Sequence, residues 1–312
     1  MKDEFVNLHL HTHYSVQDST IKVPELFYKV EQNRQKAVAV TDHGTTEGWN
    51  DFYLLGKDTN VKPIYGCEFY CKDSYLKPEN KKRSHLVVLA KNDNGIKTIN
   101  KLQFEATKHF YYKPLLPYPY LFENPDDIFI STACSLGVLG QCYDKKEPQK
   151  KPEEAEIFLN KLLEVFGKDN VSLEFQFHPD FPYQGILNSR LLDLWNTVDM
   201  KYCIATTDAH FLTKPDARRK LQADAWNKPY KDVKPSLRSN CLGTSDIVKR
   251  FAKESNFPSM KMVNKMIKNT SIIADKCNVE NVNNIDGDRV LPKFRKHDQF
   301  KKIFLKKPKR VI

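Results

Sequence analysis

The sequence contains no C-x-x-C, and its cysteines are odd in number: Cys67, Cys71, Cys134, Cys142, Cys203, Cys241 and Cys277. Disulfide frameworks belong to short secreted chains with even cysteine counts, so thiols in a reducing compartment are expected here. No apolar run approaches the roughly 20 residues that span a bilayer. Charge and histidine interrupt the amino-terminal stretch where a signal peptide would place its apolar segment. The expectation is a soluble, cytoplasmic protein with no membrane partner. No G-x-G-x-x-G and no Walker-type glycine loop follows any β-type run, which argues against dinucleotide or P-loop nucleotide binding. Internal repeats and low-complexity tracts are absent as well.

What is present is length, positive charge and alternation. A chain of 312 residues suits one large α/β domain with appendages, or two smaller domains. The formal net charge of +11 points to an anionic partner such as nucleic acid. Much of that excess lies between Lys293 and Arg310, where nine Lys or Arg face one acid, Asp298. The folded body is therefore less basic than the total implies. Strands are expected at 5–11, 36–41, 61–70, 85–90, 128–132, 170–176 and 202–207, and helices at 23–33, 45–57, 94–108, 152–166 and 184–198. The last-but-one helix shows the period clearly: Ala155, Phe158, Leu159, Leu162, Leu163 and Phe166 form one stripe behind Pro152, Glu153 and Glu154. Seven short strands alternating with helices suggest a parallel sheet, closed as a barrel of βα units, with an open doubly wound sheet as the competing architecture. Residues 72–84 and 109–127 read as loops. The second is rich in aromatics and proline, and packing over the barrel is its plainer role, base stacking the alternative. Residues 244–255 and 258–278 read as two helices of a C-terminal appendage.

The chemistry concentrates at strand ends. His9, His11 and His13 alternate, and side chains two apart on a strand share a face. His9 and His11 would then project together, with Val6, Leu8 and Leu10 on the other side, and paired imidazoles suit a metal ion. Asp42 and His43 close the second strand and Glu68 lies near the end of the third. Cys134 follows the fifth, Glu174 is near the end of the sixth, and Asp208 and His210 close the seventh. Loops at the carboxyl ends of barrel strands share one mouth, so these scattered residues converge. Asp18, in the loop after the first strand, can turn back towards His9 and His11. His85 fits less well, because it begins its strand. So many ligand-type residues exceed one tetrahedral site and imply two or more ions. Clustered divalent ions suit phosphoester hydrolysis.

These segments resemble the PHP (polymerase and histidinol phosphatase) domain family, in particular the amino-terminal PHP domains of bacterial DNA polymerase III alpha subunits. The resemblance rests on Phe5-Val-Asn-Leu-His-Leu-His-Thr-His-Tyr-Ser15 with Asp18, Ala39-Val-Thr-Asp-His-Gly44, Lys62-Pro-Ile-Tyr-Gly-Cys-Glu-Phe-Tyr70, Ser84-His-Leu-Val-Val-Leu-Ala-Lys-Asn92, Ile130-Ser-Thr-Ala-Cys134, Leu173-Glu-Phe-Gln176 and Ala205-Thr-Thr-Asp-Ala-His210. It implies a distorted seven-stranded (β/α)7 barrel of PHP type with a C-terminal helical appendage. Residues 1–215 would form the metal-dependent phosphoesterase barrel, 216–290 a helical extension and 291–312 a basic tail. The resemblance also implies up to three divalent ions (Zn2+, Mn2+ or Fe2+) on His9, His11, Asp18, His43, Glu68, His85, Cys134, Asp208 and His210. Glu68 matches a bridging carboxylate, and Glu68, His11, Asp208 and His210 are the expected catalytic set. Asp18 and Cys134 stand where stand-alone PHP phosphatases usually carry histidine, which points to the polymerase branch. His13 falls where polymerase relatives often have an acid and stays outside the ligand shell. Asn7 replaces a histidine common in relatives, at a non-ligand position.

The implied activity is a 3′–5′ exonuclease of proofreading type acting on DNA 3′ ends in replication. The closely spaced aspartates of a polymerase palm are absent, so no polymerisation is expected from this chain, and a separate palm and fingers subunit is a candidate partner. A small-molecule phosphatase or pyrophosphatase, and a non-catalytic, metal-stabilised assembly module of a split polymerase, are the rival readings.

Overall fold

A computed structural model describes residues 2–72, 83–143, 153–217 and 239–282. The elements in chain order are α1 (Val23–Gln32), β1 (Ala37–Val40), α2 (Trp49–Gly56), β2 (Lys62–Lys72), β3 (Arg83–Ala90), α3 (Asp93–Lys108), β4 (Leu116–Pro117), α4 (Tyr118–Glu123), β5 (Ile128–Ser131), α5 (Val138–Cys142), α6 (Glu153–Phe166), β6 (Val171–Gln176), α7 (Pro182–Thr197) and β7 (Tyr202–Thr206). Two helices follow, α8 (Ser245–Glu254) and α9 (Met260–Lys276). The starts are chemically marked. Proline opens α1 and α7, three glutamates fill the first turn of α6, and Asn92 Oδ1 caps α3 by accepting from Gly95 N at 3.0 Å. The expected loop at 109–127 contains β4 and α4 instead. Leu115, Leu116, Tyr118 and Leu121 are buried there, and burial of those side chains organises a segment whose prolines suggested irregular chain. The expected loop at 72–84 falls largely, and the basic tail at 291–312 entirely, outside the described residues.

The strand order is β1-β2-β3-β5-β6-β7, with β4 paired to the end of β2. The sheet is not wholly parallel. β3 runs antiparallel to both β2 and β5, so the expectation of uniform parallel strands fails at that one strand. β2 ends at Lys72 and β3 begins at Arg83, and those two residues pair across the antiparallel ladder. The reversal carries the start of β3, His85 included, to the same end of the sheet as the finish of its neighbours.

Residues 5–11 do not form a regular strand. They bridge both edges of the sheet: Ala39 N donates to Asn7 O at 2.9 Å and Thr41 N to Leu10 O at 2.9 Å on one side, while His11 N donates to Ala209 O at 2.9 Å on the other. This segment therefore closes the distorted barrel, which excludes an open doubly wound sheet. Asn7 secures it through a two-way amide pair with Gly243, accepting at 2.9 Å and donating at 3.0 Å. Strict alternation fails within the segment. Val6 and Leu8 pack with Ala37, Ala39, Val87 and Leu89, whereas Leu10 joins the larger apolar cluster under the helices. A bend at His9 changes the facing, so His9 turns inward next to Leu8.

The inner face is layered. At the base, Ala37, Ile64, Leu89, Phe129 and Ile204 meet Ile273 and Ala274 of α9 and Cys277, which caps it. Asn269 Nδ2 donates to Cys203 O at 2.7 Å and Val6 N to Thr270 Oγ1 at 2.9 Å, fixing that helix across the base. Above this plug the same face turns polar, with Ser131, Glu174 and Thr206. Gly66 lies between the layers. A Cβ there would come within 2.6 Å of Leu89 Cδ2 and 2.5 Å of Val88 O, so the absence of a side chain lets Leu89 fill the interior. Gly66→Ala should cost about 1–3 kcal/mol through overpacking, read as a fall of several degrees in Tm. An unchanged Tm would mean that the β2–β3 pair shifts freely.

Candidate metal centre

The mouth of the barrel gathers all nine ligand-type residues, and Glu68 is at the middle. Its Oε1 lies 3.3 Å from His9 Nε2 and 3.0 Å from His85 Nδ1, and its Oε2 lies 3.4 Å from His11 Nε2 and 2.6 Å from His43 Nδ1. Cys134 Sγ stands 3.9 Å from Glu68 Oε1 and 3.6 Å from His85 Nδ1. Asp208 Oδ1 is 3.2 Å from His9 Nε2 and 3.1 Å from His11 Nε2. Asp18 Oδ2 joins His43 Nε2 at 2.8 Å and His210 Nε2 at 3.3 Å. His85, the awkward member by sequence, arrives because its strand is reversed. His13 is exposed, its ring packed on Tyr14, away from this group.

Five of the donor atoms face their neighbours without bonding. His9 Nε2, His11 Nε2, His43 Nδ1, Glu68 Oε2 and Asp208 Oδ1 are buried and form no hydrogen bond of sound geometry, although partners lie 2.6–3.4 Å away. Buried polar atoms that approach this closely without alignment are aimed at shared space between them, as ligands of an ion are. Three overlapping sets have ligand atoms within 4.8 Å of one another among the described residues: His11, His43 and His210; His9, His11 and Asp208; His43, Glu68 and His85. Imidazole and carboxylate donors in this mix suit divalent cations of the first transition row.

A second group of residues holds the imidazoles in place; the sequence shows Asp42 and Glu174 at strand ends but not this supporting role. His9 Nδ1 lies 2.7 Å from Glu174 Oε1, which also accepts from Thr206 Oγ1 at 2.6 Å, while Glu174 Oε2 accepts from Ser131 Oγ at 2.7 Å. His11 Nδ1 is 3.2 Å from Ser15 Oγ, whose proton goes to Asp42 Oδ1 at 2.7 Å. His210 Nδ1 is 2.7 Å from the Asp208 carbonyl. Each Nδ1 thus faces an acceptor, which leaves each Nε2 lone pair turned into the cluster. Asp42 is a support and not a ligand, occupied by Thr12 N, Thr12 Oγ1 and Ser15 Oγ. Glu174 had been noticed at its strand end, but its inward parity on β6 was the signal for its role.

The turns that carry ligands are strained. Gln17 (φ 66°) precedes Asp18, Ala133 (φ 59°) precedes Cys134, and Asp208 itself has φ 47°. Left-handed backbone at non-glycine residues costs about 1–3 kcal/mol each and persists where surrounding structure imposes it.

Electrostatics in the ion-free cluster show what it demands. Burial opposes charge on His43, yet Glu68 and Asp18 outweigh it and lift its pKa to about 10. Burial likewise opposes charge on His9, but Glu174, Asp208 and Glu68 hold its pKa well above the usual value. Burial and the neighbouring His43 and His210 push His11 down to about 3, so it stays neutral. Burial works against ionisation of Glu68 and Asp208, but the surrounding imidazoles keep both well below the ordinary carboxylate range.

The family model described as PHP domain matches residues 7–178. DNA polymerase III subunit alpha of Aquifex aeolicus is 37% identical over 227 residues, covering 69% of this chain and 19% of that one. Its counterpart from Helicobacter pylori is 31% identical over 296 residues, covering 88% of this chain and 23% of that one. The chain thus spans about a fifth of the length of these relatives. Among solved structures, a Bifidobacterium adolescentis protein whose name proposes a metal-dependent phosphoesterase aligns over 80% of this chain and 96% of its own, at 13% identity and a TM-score of 0.45.

The raised pKa values of His9 and His43 set protons in competition with cations for the cluster, which fixes the sign of two effects. Loading the ion-free protein with Zn2+ or Mn2+ at pH 7 should release protons from His43 and His9, and apparent affinity should rise with pH. Calorimetry in buffers of different ionisation enthalpy measures the release, and a pH-independent affinity would overturn it. In the ion-free protein the stabilising charge on His43 is fully present below about pH 6.5 and disappears as pH rises through about 10, so Tm should fall across that window. Glu174→Gln should weaken metal binding about 10–100-fold while the fold survives.

Proposed function

The chain belongs to the PHP domain family, and on that premise we propose that it is a metal-dependent phosphodiesterase acting as a 3′–5′ exonuclease on DNA. The observation that carries this reading is Glu68, one buried carboxylate whose two oxygens are shared among four imidazoles from three segments of the chain. That arrangement matches a carboxylate bridging neighbouring cations. His9, His11, Asp18, His43, Glu68, His85, Cys134, Asp208 and His210 would hold up to three divalent ions, of zinc, manganese or iron. Bound there, such ions lower the pKa of water, orient a phosphoryl group and offset charge on the leaving oxygen.

The protein's own residues supply position and charge. Glu68 and Asp208 remain anionic at neutral pH and set the cation demand of the cluster. Glu174, Ser15 and the Asp208 carbonyl fix the ring orientation of His9, His11 and His210. His11 is neutral and needs no deprotonation before it ligates. The polymerase-type choice of Asp18 and Cys134, together with relatives named as DNA polymerase III alpha subunits, supports DNA over a small phosphoester as substrate. The same reading sets the protein in the cytoplasm, working in DNA replication beside a polymerase palm. No helix among the described residues is long and apolar enough to cross a membrane.

With 5′-labelled single-stranded DNA and Mn2+ or Zn2+, the protein should generate a ladder shortening from the 3′ end. Glu68→Ala and His11→Ala should each lower the rate about a hundredfold or more, the scale of several kcal/mol of lost transition-state stabilisation. Intact DNA under every metal, with metal content verified, would sink the exonuclease reading. Turnover of phosphomonoesters or pyrophosphate in its place would favour the phosphatase alternative.

A further inference from the structure

We infer that the turn Phe110–Lys113 and the cavity beside it form a stacking subsite for the terminal bases of a single DNA strand whose 3′ end enters the metal centre. This rests on the phosphodiesterase reading for what happens at the ions, but the subsite stands on its own observations. A cavity of about 660 Å3 opens next to the cluster, with Asp18, His43, Phe110 and Lys113 in its wall. That volume lies within the range of small-molecule sites, roughly 300–1,000 Å3.

Around it are aromatic faces. Tyr70 stacks on His43 at 5.4 Å and meets His85 edge-on at 5.1 Å, so one ring links the ligand group to the cavity. Tyr14 lines the opposite part, its hydroxyl tied to Asp51 at 2.7 Å. Beyond them Phe110, Tyr111 and Tyr112 are 64%, 65% and 74% exposed. Three consecutive rings in solvent contribute nothing to the core, unlike Leu115, Leu116 and Tyr118 just after them. Tyr111 N donates to Lys113 O at 3.0 Å and Tyr112 has φ 59°, so the turn holds its rings out in a strained backbone. Lys113 Nζ lies 5.5 Å over the Tyr70 ring, the same ring that stacks on His43.

Exposed π-faces leading to a cation and then to a cluster for phosphate chemistry match single-stranded nucleic acid. Its bases stack on aromatics without regard to sequence, and its phosphates need positive charge. Glu47 also lines the cavity and opposes an anion there, which favours the uncharged base over the phosphate on that wall.

The test uses the full chain and two 5′-fluorescein oligodeoxynucleotides, one ending in a normal 3′ nucleoside and one in a 3′ abasic residue. Anisotropy titrations after EDTA treatment report binding, and metal-loaded protein reports cleavage. The wild type should bind the base-bearing end about tenfold more tightly. Phe110→Ala should erase that preference and Phe110→Trp restore it. Lys113→Ala should weaken both oligonucleotides equally and flatten the slope of log affinity against log salt by about 0.7. Equal binding of the two ends by the wild type, or a preference that survives Phe110→Ala, would overturn the subsite. A base preference without cleavage would support the subsite while removing the exonuclease reading, so the two can fail separately.

Discussion

Glu68 is a carboxylate buried to the last percent, and no lysine or arginine among the described residues pairs with it. An isolated buried carboxylate is strongly unfavourable, and it becomes tolerable only with several polar partners in good position. Here the partners are imidazoles from the amino-terminal segment, the end of β1 and the start of β3, with a thiol after β5. Much of the architecture follows from that requirement. The amino-terminal segment must reach both sheet edges to bring His9 and His11, and β3 must run backwards to bring His85. The turns before Asp18 and Cys134, and Asp208 itself, must adopt left-handed backbone. A helical plug at the base allows the opposite end to remain polar, because apolar burial there carries stability that the mouth does not.

Part of the backbone strain serves the mouth. Near α9 the inner face is filled by Ala, Ile, Leu and Phe, and Arg34 and Asp127 take positive φ just before β1 and β5. At the mouth, Gln17, Ala133 and Asp208 hold unfavourable φ values next to ligand-type residues. Supporting hydrogen bonds from Asp42, Ser15 and Glu174 oppose relaxation. Ligand direction is therefore set by the polar layer beneath the ligands as much as by the ligands' own elements.

Local pattern revealed much of this. Helical periodicity and alternation located the longer helices and the strands from β1 onward to within a few residues, but not β4, α4 or α5, since amphipathic faces of period 3.6 and 2 are written in residue order only where an element is long enough to show them. The ligand-type residues were visible as a coincidence of histidines and carboxylates at strand ends. The aromatic turn was visible too, but its division into a buried half at Leu115–Leu121 and an exposed half at Phe110–Tyr112 was not. Both halves carry large apolar side chains, and which of them meet the core depends on where α3 and β2 place them.

What the sequence determined by itself is the inventory: an α/β chain with these strands and helices, and ligand-type side chains at their ends. Only the tertiary structure decided how that inventory closes. The direction of β3 is set by its pairing with β2 and β5, and a strand read in isolation has no direction relative to its neighbours. The bend at His9 comes from bridging two sheet edges at once, which a local period cannot encode. Glu174 and Asp42 carry the same carboxylate as Glu68. Their support of imidazoles depends on which atoms lie within hydrogen-bond reach across the barrel, and those contacts join residues as far apart in the chain as His9 and Glu174.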